Sequence, residues 1–269
     1  MTLIMGILNV TPDSFSDGGR WADEDAAIRH GLALVASGAD LLDVGGESTR
    51  PGADPVDPAE ERRRILPVIA ALVGEGVRIS VDTVNAETAA AALEGGAEMI
   101  NDVSAGQHDP GMLPLLADAR VPAVLMHSRG RSDSPAEYRD VVAEVRDELV
   151  QRIDLLLDLG GDPAQVIIDP GLGFAKNAEH NWALLRGLDQ LGHLGYPVLV
   201  GTSRKRFLGT LLPAGAGMED RDLPTAITTA LAARSRAWAV RVHDAAGSRQ
   251  ALDVVAAWDG PVLDGRVRP

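Results

Sequence analysis

Eight short apolar runs recur along the chain, and each is followed by a longer amphipathic segment. The runs lie at residues 3–10, 40–46, 77–83, 98–104, 122–128, 165–171, 197–203 and 239–244. Each run is hydrophobic almost throughout, as expected of a strand that is buried on both faces. Because a helix that connects two strands as a crossover makes them parallel, this alternation predicts a parallel sheet covered by helices.

The segments between the runs carry signals for the starts and ends of helices. Pro58 suits a first helical turn, Gly38 suits a C-terminal cap, and Ser134 with Glu137 suits a capping box that starts a helix at Ser134. Residues 211–222 have the composition of a mobile loop. The expected helices cover residues 23–38, 58–76, 85–96, 109–119, 134–160, 177–195, 223–237 and 247–260.

The count of strands and helices decides the fold class. Eight βα units in 269 residues match a closed barrel, which typically needs about 250 residues. The alternative is an open doubly wound sheet, which favours fewer strands and a glycine-rich fingerprint after the first strand; the chain has neither. We therefore expect an α/β protein with a single (β/α)8 TIM barrel, formed by residues 1–269 as one domain.

Charge and cysteine content exclude several kinds of function. The formal net charge is −14, which argues against nucleic acid or an anionic membrane as the main partner. The chain has no cysteine, so disulfides, iron–sulfur clusters and thiolate zinc sites are excluded. The first apolar run stops at Asn9, too short to span a membrane, and no basic segment precedes it. We expect a cytoplasmic protein.

Polar side chains follow the apolar runs at the ends where barrel enzymes carry their active sites. Any one of them is ordinarily a cap or a turn residue. Together they divide by chemistry, with carboxylates and amides after strands three, four and six and cations after strands seven and eight. The residues are Asn9, Asp43, Asp82, Asn101, Asp102, His127, Asp169, Ser203, Arg204, Lys205, Arg241 and His243.

The carboxylate and amide group predicts one end of a two-ended site. Asp82, Asn101 and Asp169 form a buried set of hydrogen-bond acceptors and donors. A carboxylate can accept two parallel N–H bonds from the edge of a flat, nitrogen-rich heterocycle. We expect such a ring to bind there.

The cations predict the other end. Arg241 and His243 are two residues apart and so point to the same side of a strand, while Val242 points into the helix layer. Lys205 follows the seventh strand, where many barrels bind phosphate. An anionic ligand is expected, although Lys205 could instead form a Schiff base.

Two glycine-containing loops, residues 9–19 and 45–53, follow the first and second strands. Long loops of this composition at the catalytic face are typical lids, and plain connectors are the alternative. The chain contains no nucleophile elbow, no HExxH zinc motif and no Walker motif.

Seven segments in chain order resemble the signature segments of the dihydropteroate synthases. They read GILNVTPDSFSDGG, DVGGESTRPGA, ISVDT, INDVS, IIDPGLGFAK, VGTSRKRFLG and RVHD. The resemblance implies that 6-hydroxymethyl-7,8-dihydropterin pyrophosphate and 4-aminobenzoate react to give 7,8-dihydropteroate and pyrophosphate in folate biosynthesis. It also implies a dissociative, Mg²⁺-assisted displacement, a homodimer formed through the last helices, and competition by sulfonamides.

The resemblance assigns roles to individual residues. The expected catalytic residues are Asp82, Asn101, Asp169, Lys205, Arg241 and His243, of which the first four would hold the pterin. The pyrophosphate would contact Asn9, Arg50, Arg241 and His243, with Mg²⁺ bound through Asn9. The aminobenzoate pocket would comprise Phe15, Thr49, Pro51, Phe174, Ser203, Arg204, Lys205 and Arg206. The mobile loops would contribute Asp13, Ser16 and Asp17.

Two other functions remain open from the sequence. A corrinoid-dependent pterin methyltransferase domain is also a barrel with Asp and Asn contacts to the pterin, but it has no need of the cluster Lys205, Arg241 and His243. A non-catalytic pterin-binding paralogue would keep the fold and lose parts of the site.

Overall fold

The computed structural model describes residues 1–11, 20–47, 56–130 and 136–260. Within these residues, eight parallel strands form one sheet in the order β6-β5-β4-β3-β2-β1-β8-β7. A further bridge between Ile168 and Val198 joins β6 to the residue before β7 and closes the sheet. The predicted barrel is confirmed. The strands are β1 Leu3–Asn9, β2 Leu41–Gly45, β3 Ile79–Asp82, β4 Met99–Asp102, β5 Ala123–Met126, β6 Val166–Asp169, β7 Leu199–Val200 and β8 Ala239–Val242.

Helices lie between the strands and around the barrel. They are α1 Arg20–Ala36, α2 Pro58–Gly74, α3 Ala86–Glu94, α4 Met112–Ala119, α5 Val141–Asp158, α6 Ala178–Arg186, α7 Leu188–Gly192, α8 Arg206–Gly209, α9 Asp222–Arg234 and α10 Ala245–Asp259. Pro58 opens α2 and Gly38 takes a positive φ of 106° after α1, both as the sequence predicted. No helix in the described ranges is both long enough and apolar enough to cross a membrane.

The start of α5 differs from the prediction. The helix begins at Val141, and its cap is Asp140, whose carboxylate accepts hydrogen bonds from the N–H groups of Val142 and Ala143 at 3.1 Å each. Ser134, the expected cap, lies outside the described residues. Both residue types cap helices well. Asp140 is the cap because Glu144, one turn on, accepts from its backbone N–H at 2.9 Å and so fixes the turn there.

Other boundaries shift for local reasons. The helix expected over residues 177–195 breaks at Gly187, where an added Cβ would lie 2.9 Å from Val142 of α5. The helix expected from residue 247 begins at Ala245, because Asp244 caps it. The expected strand at 197–203 is reduced to the two residues of β7.

Two further boundaries differ from the prediction. Residues 219–221, expected in a mobile loop, form a 3₁₀ turn that leads into α9. Helix α1 begins at Arg20 rather than at Asp23.

The core has two parts, which follow from the two-residue period of a strand. Side chains that point outward pack between the sheet and the helices. Side chains that point inward form an apolar layer across the barrel, which we call the barrel floor: Met5, Leu41, Met99, Val124, Ile167, Leu199 and Ala239. Residues two positions further along each strand face the same interior. The floor therefore fixes which polar residues stand above it.

Candidate active site

A cavity of about 710 Å³ opens at the ends of the strands where the polar residues lie, a size typical of small-molecule sites. Every predicted site residue within the described ranges lines this cavity: Asn9, Asp82, Asn101, Asp169, Phe174, Ser203, Arg204, Lys205, Arg206, Arg241 and His243. The others lie outside the described residues: Asp13, Phe15, Ser16, Asp17, Thr49, Arg50 and Pro51.

Strand parity explains how three of these residues reach the cavity. Asn101 follows floor residue Met99 by two positions on β4, and both are buried. Asp169 stands in the same relation to Ile167, and Arg241 to Ala239. Each polar side chain therefore lies one layer above an apolar one, inside the barrel. The prediction that Val242 faces the helix layer is also confirmed.

Asp43 is a functional residue to which the sequence assigned no role. Its carboxylate on β2 is fully buried and accepts hydrogen bonds from three strands. Ser80 donates to Oδ1 at 2.7 Å, Asn101 Nδ2 donates to Oδ2 at 2.9 Å, and Arg241 Nε donates to Oδ2 at 2.6 Å. A carboxylate within an apolar strand was the only signal, since such a group is costly unless paired.

Arg241 also contacts Asp82, which sequence reasoning had placed at the opposite end of the site. Arg241 Nη2 lies 2.7 Å from Asp82 Oδ2. Burial raises the pKa of Asp82 to about 7, with Arg241 opposing and Asp43 adding to the shift. The two predicted ends thus meet, because strands β3 and β8 both point their second-layer side chains into one closed barrel. One guanidinium is thus shared by two buried carboxylates.

Lys205 lies over the opposite wall of the cavity. Its ammonium donates to the carbonyl of Leu172 and lies 5.1 Å from the centre of the Phe174 ring. Burial lowers the pKa of Lys205 to about 8, with Asp169 opposing the shift. Lys205 and Asp169 both lie beside Gly201, where an added Cβ would be 3.6 Å from Lys205 Nζ and 3.9 Å from Asp169 Oδ2.

The other two members of the cationic run lie differently from Lys205. Arg204 adopts a positive φ of 55° and forms a two-point ion pair with Asp222 at the start of α9, with both N–O distances 2.7 Å. Arg206 opens α8 and is exposed at the cavity rim. The run "RKR" is therefore three separate contacts rather than one basic patch.

Ser203 and His243 join the seventh strand to the eighth. Ser203 Oγ lies 2.9 Å from His243 Nδ1 and accepts from the His243 backbone N–H at 3.0 Å. Both residues line the cavity. This pairing fixes the imidazole against the wall where Arg241 emerges from the same strand.

Two polar strand-end residues do not belong to the cavity. Asp102 turns away and accepts backbone N–H bonds from Ser104 and Gly106, an ordinary turn. His127 points to the helix layer, where its Nε2 lies 2.8 Å from Glu148 of α5. Burial lowers the pKa of His127 to about 4, and the charge of Lys176 adds to the shift.

Lys176 is a second residue that sequence reasoning missed. It lines the cavity and is only 6% exposed, and its Nζ lies 3.0 Å from His127 Nδ1. It comes seven positions after Asp169 in the segment IIDPGLGFAK. Its only signal was a single lysine in a loop otherwise made of small and apolar residues.

A divalent cation held by the described residues would need further ligands, such as those of a substrate. Among the residues that the structure describes, no three His, Cys, Asp or Glu side chains come together as a metal site. Asn9 offers an amide oxygen on the cavity wall. Mg²⁺ commonly binds through one or two protein oxygens together with substrate phosphates and water, so this donor set fits an ion that arrives with a diphosphate.

Comparisons with known proteins agree on one family. Residues 5–243 match the family model described as pterin-binding enzyme. The dihydropteroate synthase of Mycobacterium leprae is 53% identical, over 97% of this chain and 95% of that one. The structure of the Xanthomonas albilineans dihydropteroate synthase with 4-aminobenzoic acid has a TM-score of 0.89 and 47% identity, covering 96% of this chain and 92% of that one. The structure of the same protein in complex with 7,8-dihydropteroate has a TM-score of 0.88 and 45% identity, covering 97% of this chain and 94% of that one.

Proposed function

The chain belongs to the dihydropteroate synthases, within the family of pterin-binding enzymes, and we propose that the cavity at the barrel mouth is where it joins a pterin to an aminobenzoate. The activity transfers the dihydropterinylmethyl group from pyrophosphate to the amine of 4-aminobenzoate, a step of folate biosynthesis. One observation carries the assignment of the cavity. Buried carboxylates and an amide share a single small-molecule pocket with cations from β7 and β8.

The pterin is assigned to the acidic wall. Asn101 and Asp169 are buried one layer above the barrel floor, and Asp82 lies beside them on β3. Their oxygens suit the amino and ring N–H groups of a pterin, and the Asn101 amide also donates. Substituting two of these three side chains with apolar ones would leave polar groups of the pterin without hydrogen-bond partners.

The diphosphate is assigned to Arg241, His243 and Asn9. A guanidinium carries five N–H groups, and the two carboxylates engage only Nε and Nη2, so Arg241 can serve a pterin wall and an anion together. His243 follows on the same side of the strand. Asn9 would hold Mg²⁺ through its amide oxygen, and the bound ion would supply neutralising charge for the leaving group.

The aminobenzoate is assigned to the cavity rim. The Phe174 ring can pack against the benzene ring, and Lys205, which lies over Phe174, is placed between the two substrates. Ser203 lines the same wall. The backbone N–H groups at the start of α8 suit the carboxylate, since Arg206 in that turn lines the cavity.

The chemistry needs no strong general base. As pyrophosphate leaves, positive charge develops on the pterin methylene, and the carboxyl groups of Asp82 and Asp169 on the cavity wall can stabilise it. The neutral aniline nitrogen is already a competent nucleophile. Binding both substrates in one cavity supplies the proximity that a bimolecular step in water lacks.

We also propose that two copies of the chain associate through α9 and α10. These neighbouring helices expose Leu223, Ile227 and Leu231 at four-residue spacing on α9, and Val254 and Trp258 on α10. Trp258 is 77% exposed and Leu223 is 70% exposed. An apolar surface of this kind on a soluble domain is typical of a self-complementary interface.

Two broader expectations stay proposals. We propose that residues 1–269 act as one pterin-binding barrel domain. We also propose that the enzyme works in the cytoplasm, which is supported by the absence of cysteine from the chain.

One assay tests the proposed function against both alternatives. The protein is incubated with 6-hydroxymethyl-7,8-dihydropterin pyrophosphate, 4-aminobenzoate and Mg²⁺, and dihydropteroate is measured. Turnover is expected, and Lys205→Ala should abolish it while leaving the melting temperature nearly unchanged. The matched control is Arg78→Ala, which removes an exposed cation paired with Glu98 outside the cavity. Folded protein without product would indicate a non-catalytic paralogue instead.

A further inference from the structure

The segment from Pro170 to Asn177, which connects β6 to α6, forms part of the cavity wall without helix or strand. It presents the Phe174 ring and the Leu172 carbonyl that accepts from Lys205. We call it the β6–α6 loop. Its shape therefore determines where Lys205 and the aromatic wall stand.

The backbone of this loop has an unusual conformation. Gly171, Gly173 and Ala175 have φ values of +66°, +79° and +48°. The left-handed region is costly for a residue with a side chain, as at Ala175. A loop with alternating handedness cannot satisfy its own backbone groups by regular hydrogen bonding, so other groups must do so.

Lys176 supplies that support from a single buried point. Its Nζ lies 3.0 Å from the Gly171 carbonyl, 3.2 Å from the Phe174 carbonyl and 3.0 Å from His127 Nδ1. An ammonium has three donors and no acceptor, which matches these three nearest acceptors; the His127 carbonyl lies farther away, at 3.5 Å. The contact ties two turns of the loop to each other and to the end of β5.

The surroundings of Lys176 keep these acceptors in place. Glu148 on α5 lies 2.8 Å from His127 Nε2, and if His127 donates to it, Nδ1 is left as an acceptor for Lys176. Arg129 in turn binds Glu148. Asp169 on β6 and Lys205 before α8 are the other charges that act on Lys176. Burial lowers its pKa to about 7, and the charges of Asp169 and Glu148 oppose that shift. Hydrogen-bond acceptors around Nζ favour the ammonium form.

We propose that Lys176 is a positioning residue, whose ammonium holds the β6–α6 loop so that Phe174 and the Leu172 carbonyl meet Lys205 and the aminobenzoate. The proposal rests on the proposed function of the cavity. Lys176 acts through the loop and has no assigned contact with either substrate. Its loss should therefore weaken the use of aminobenzoate more than that of the pterin. Asp169 and Lys205 contact the loop, but the pterin keeps Asp82 and Asn101 on β3 and β4.

The absence of cysteine from the chain allows a direct test. Lys176→Cys introduces the only thiol, which is alkylated in denaturant with 2-bromoethylamine, and the protein is refolded. This restores an ammonium on a side chain of nearly the original length. Alkylation with iodoacetamide in parallel gives a neutral side chain of similar size. Wild-type protein taken through the same steps controls for refolding.

The expected result separates charge from volume. The KM for aminobenzoate should rise about tenfold or more in Lys176→Cys, the scale of one lost hydrogen bond to a charged group. The KM for the pterin pyrophosphate should change less than the KM for aminobenzoate. Aminoethylation should restore most of the loss, and carbamidomethylation should not. Equal KM values in all forms, or equal recovery with the neutral group, would overturn the proposal.

A second measurement is independent of any substrate. Hydrogen exchange by mass spectrometry reports the amides of Gly173 and Phe174, which donate within the loop region to Asn181 Oδ1 and to the Gly171 carbonyl. Their protection should fall in Lys176→Cys and return on aminoethylation. Unchanged protection would contradict the proposal even if the wild-type protein makes no dihydropteroate. If the wild type is inactive but aminoethylation still restores protection in Lys176→Cys, only the proposed function fails.

Discussion

Arg241 Nε and Asp43 Oδ2 meet at 2.6 Å inside the barrel, although 198 positions separate the two residues in the chain. The Asp43 carboxylate also accepts from Asn101 and Ser80, so one buried group fixes residues on three other strands. Asn101, the proposed pterin contact, and Arg241, the proposed anion contact, are thereby held by the same carboxylate. We expect this group to matter for activity without touching a substrate.

Asp43→Asn tests that expectation. An amide keeps the volume but removes the negative charge, and one of the three donors loses its acceptor. Loss of a buried charged hydrogen bond costs about 1.5–3 kcal/mol, which corresponds to a fall in kcat/KM of roughly 10- to 100-fold. Asp40→Asn is the control, because it alters an Arg–Asp pair with Arg249 at 2.7 Å outside the cavity. Equal activity of the two variants would contradict the role of Asp43.

The charge of Lys205 should appear in the pH dependence of aminobenzoate use. Its pKa is lowered to about 8, so the cation is present below that pH and is lost above it. The kcat/KM for aminobenzoate, measured from pH 6 to 10, should decline as the pH rises through about 8. Lys205→Arg, which stays charged, should show lower activity without that decline. A decline at the same pH in the arginine variant would assign it to another group.

The buried His127 predicts how acid affects stability. Its pKa is lowered from 6.5 to about 4, so the unfolded chain takes up a proton first as the pH falls. The free energy of unfolding should therefore decrease by about 3 kcal/mol between the unfolded and folded pKa values. Urea titrations should show a smaller decrease for His127→Gln. His193→Gln changes an exposed histidine and should behave like the wild type.

Two glycines with the same backbone handedness should differ sharply on substitution. Gly171 has a φ of +66°, and an added Cβ would lie 1.8 Å from the His127 carbonyl oxygen. Gly160 has a φ of +92° with nothing within 4 Å of the added atom. In denaturant titrations, Gly171→Ala should cost about 3 kcal/mol or more and Gly160→Ala about 1 kcal/mol. Similar losses of unfolding free energy in the two variants would mean that the backbone around Gly171 can shift to accommodate a Cβ.

The proposed dimer predicts a change of mass in solution. Ile227→Glu combined with Leu231→Glu places two charges on the apolar face of α9, where a partner copy would have to desolvate them. Light scattering after size exclusion should give a dimer for the wild type and a monomer for this variant. Leu155→Glu on α5 substitutes another exposed leucine and should remain dimeric. A monomeric wild type would rule out the proposed association.

The barrel was predictable because strands buried on both faces leave continuous apolar runs in the sequence. The inward position of Arg241 and His243 was predictable for the same reason, since parity along a strand is a local property. The first residues of the helices were harder to predict from the sequence. Ser134 and Asp140 both have capping side chains, and the contact that favours Asp140 involves Glu144 one turn later.

The long-range partners were not predictable. No residue near Asp43 in the sequence indicates that Arg241 is its partner, because the contact forms only when β8 pairs with β1. Lys176 was equally hidden, since its acceptors are two backbone carbonyls and a histidine on another strand. Single residues with partners across the barrel leave no periodic signal.

The apolar floor of the barrel has a consequence for the timing of turnover. Met99 and Ile167 close the shaft beneath Asn101 and Asp169, whereas Arg206 stands exposed at the rim. Molecules that enter at the strand ends must leave by the same way. The occupant of the deep position therefore has to arrive before the one at the rim, so that depth in a blind-ended shaft sets the order of binding.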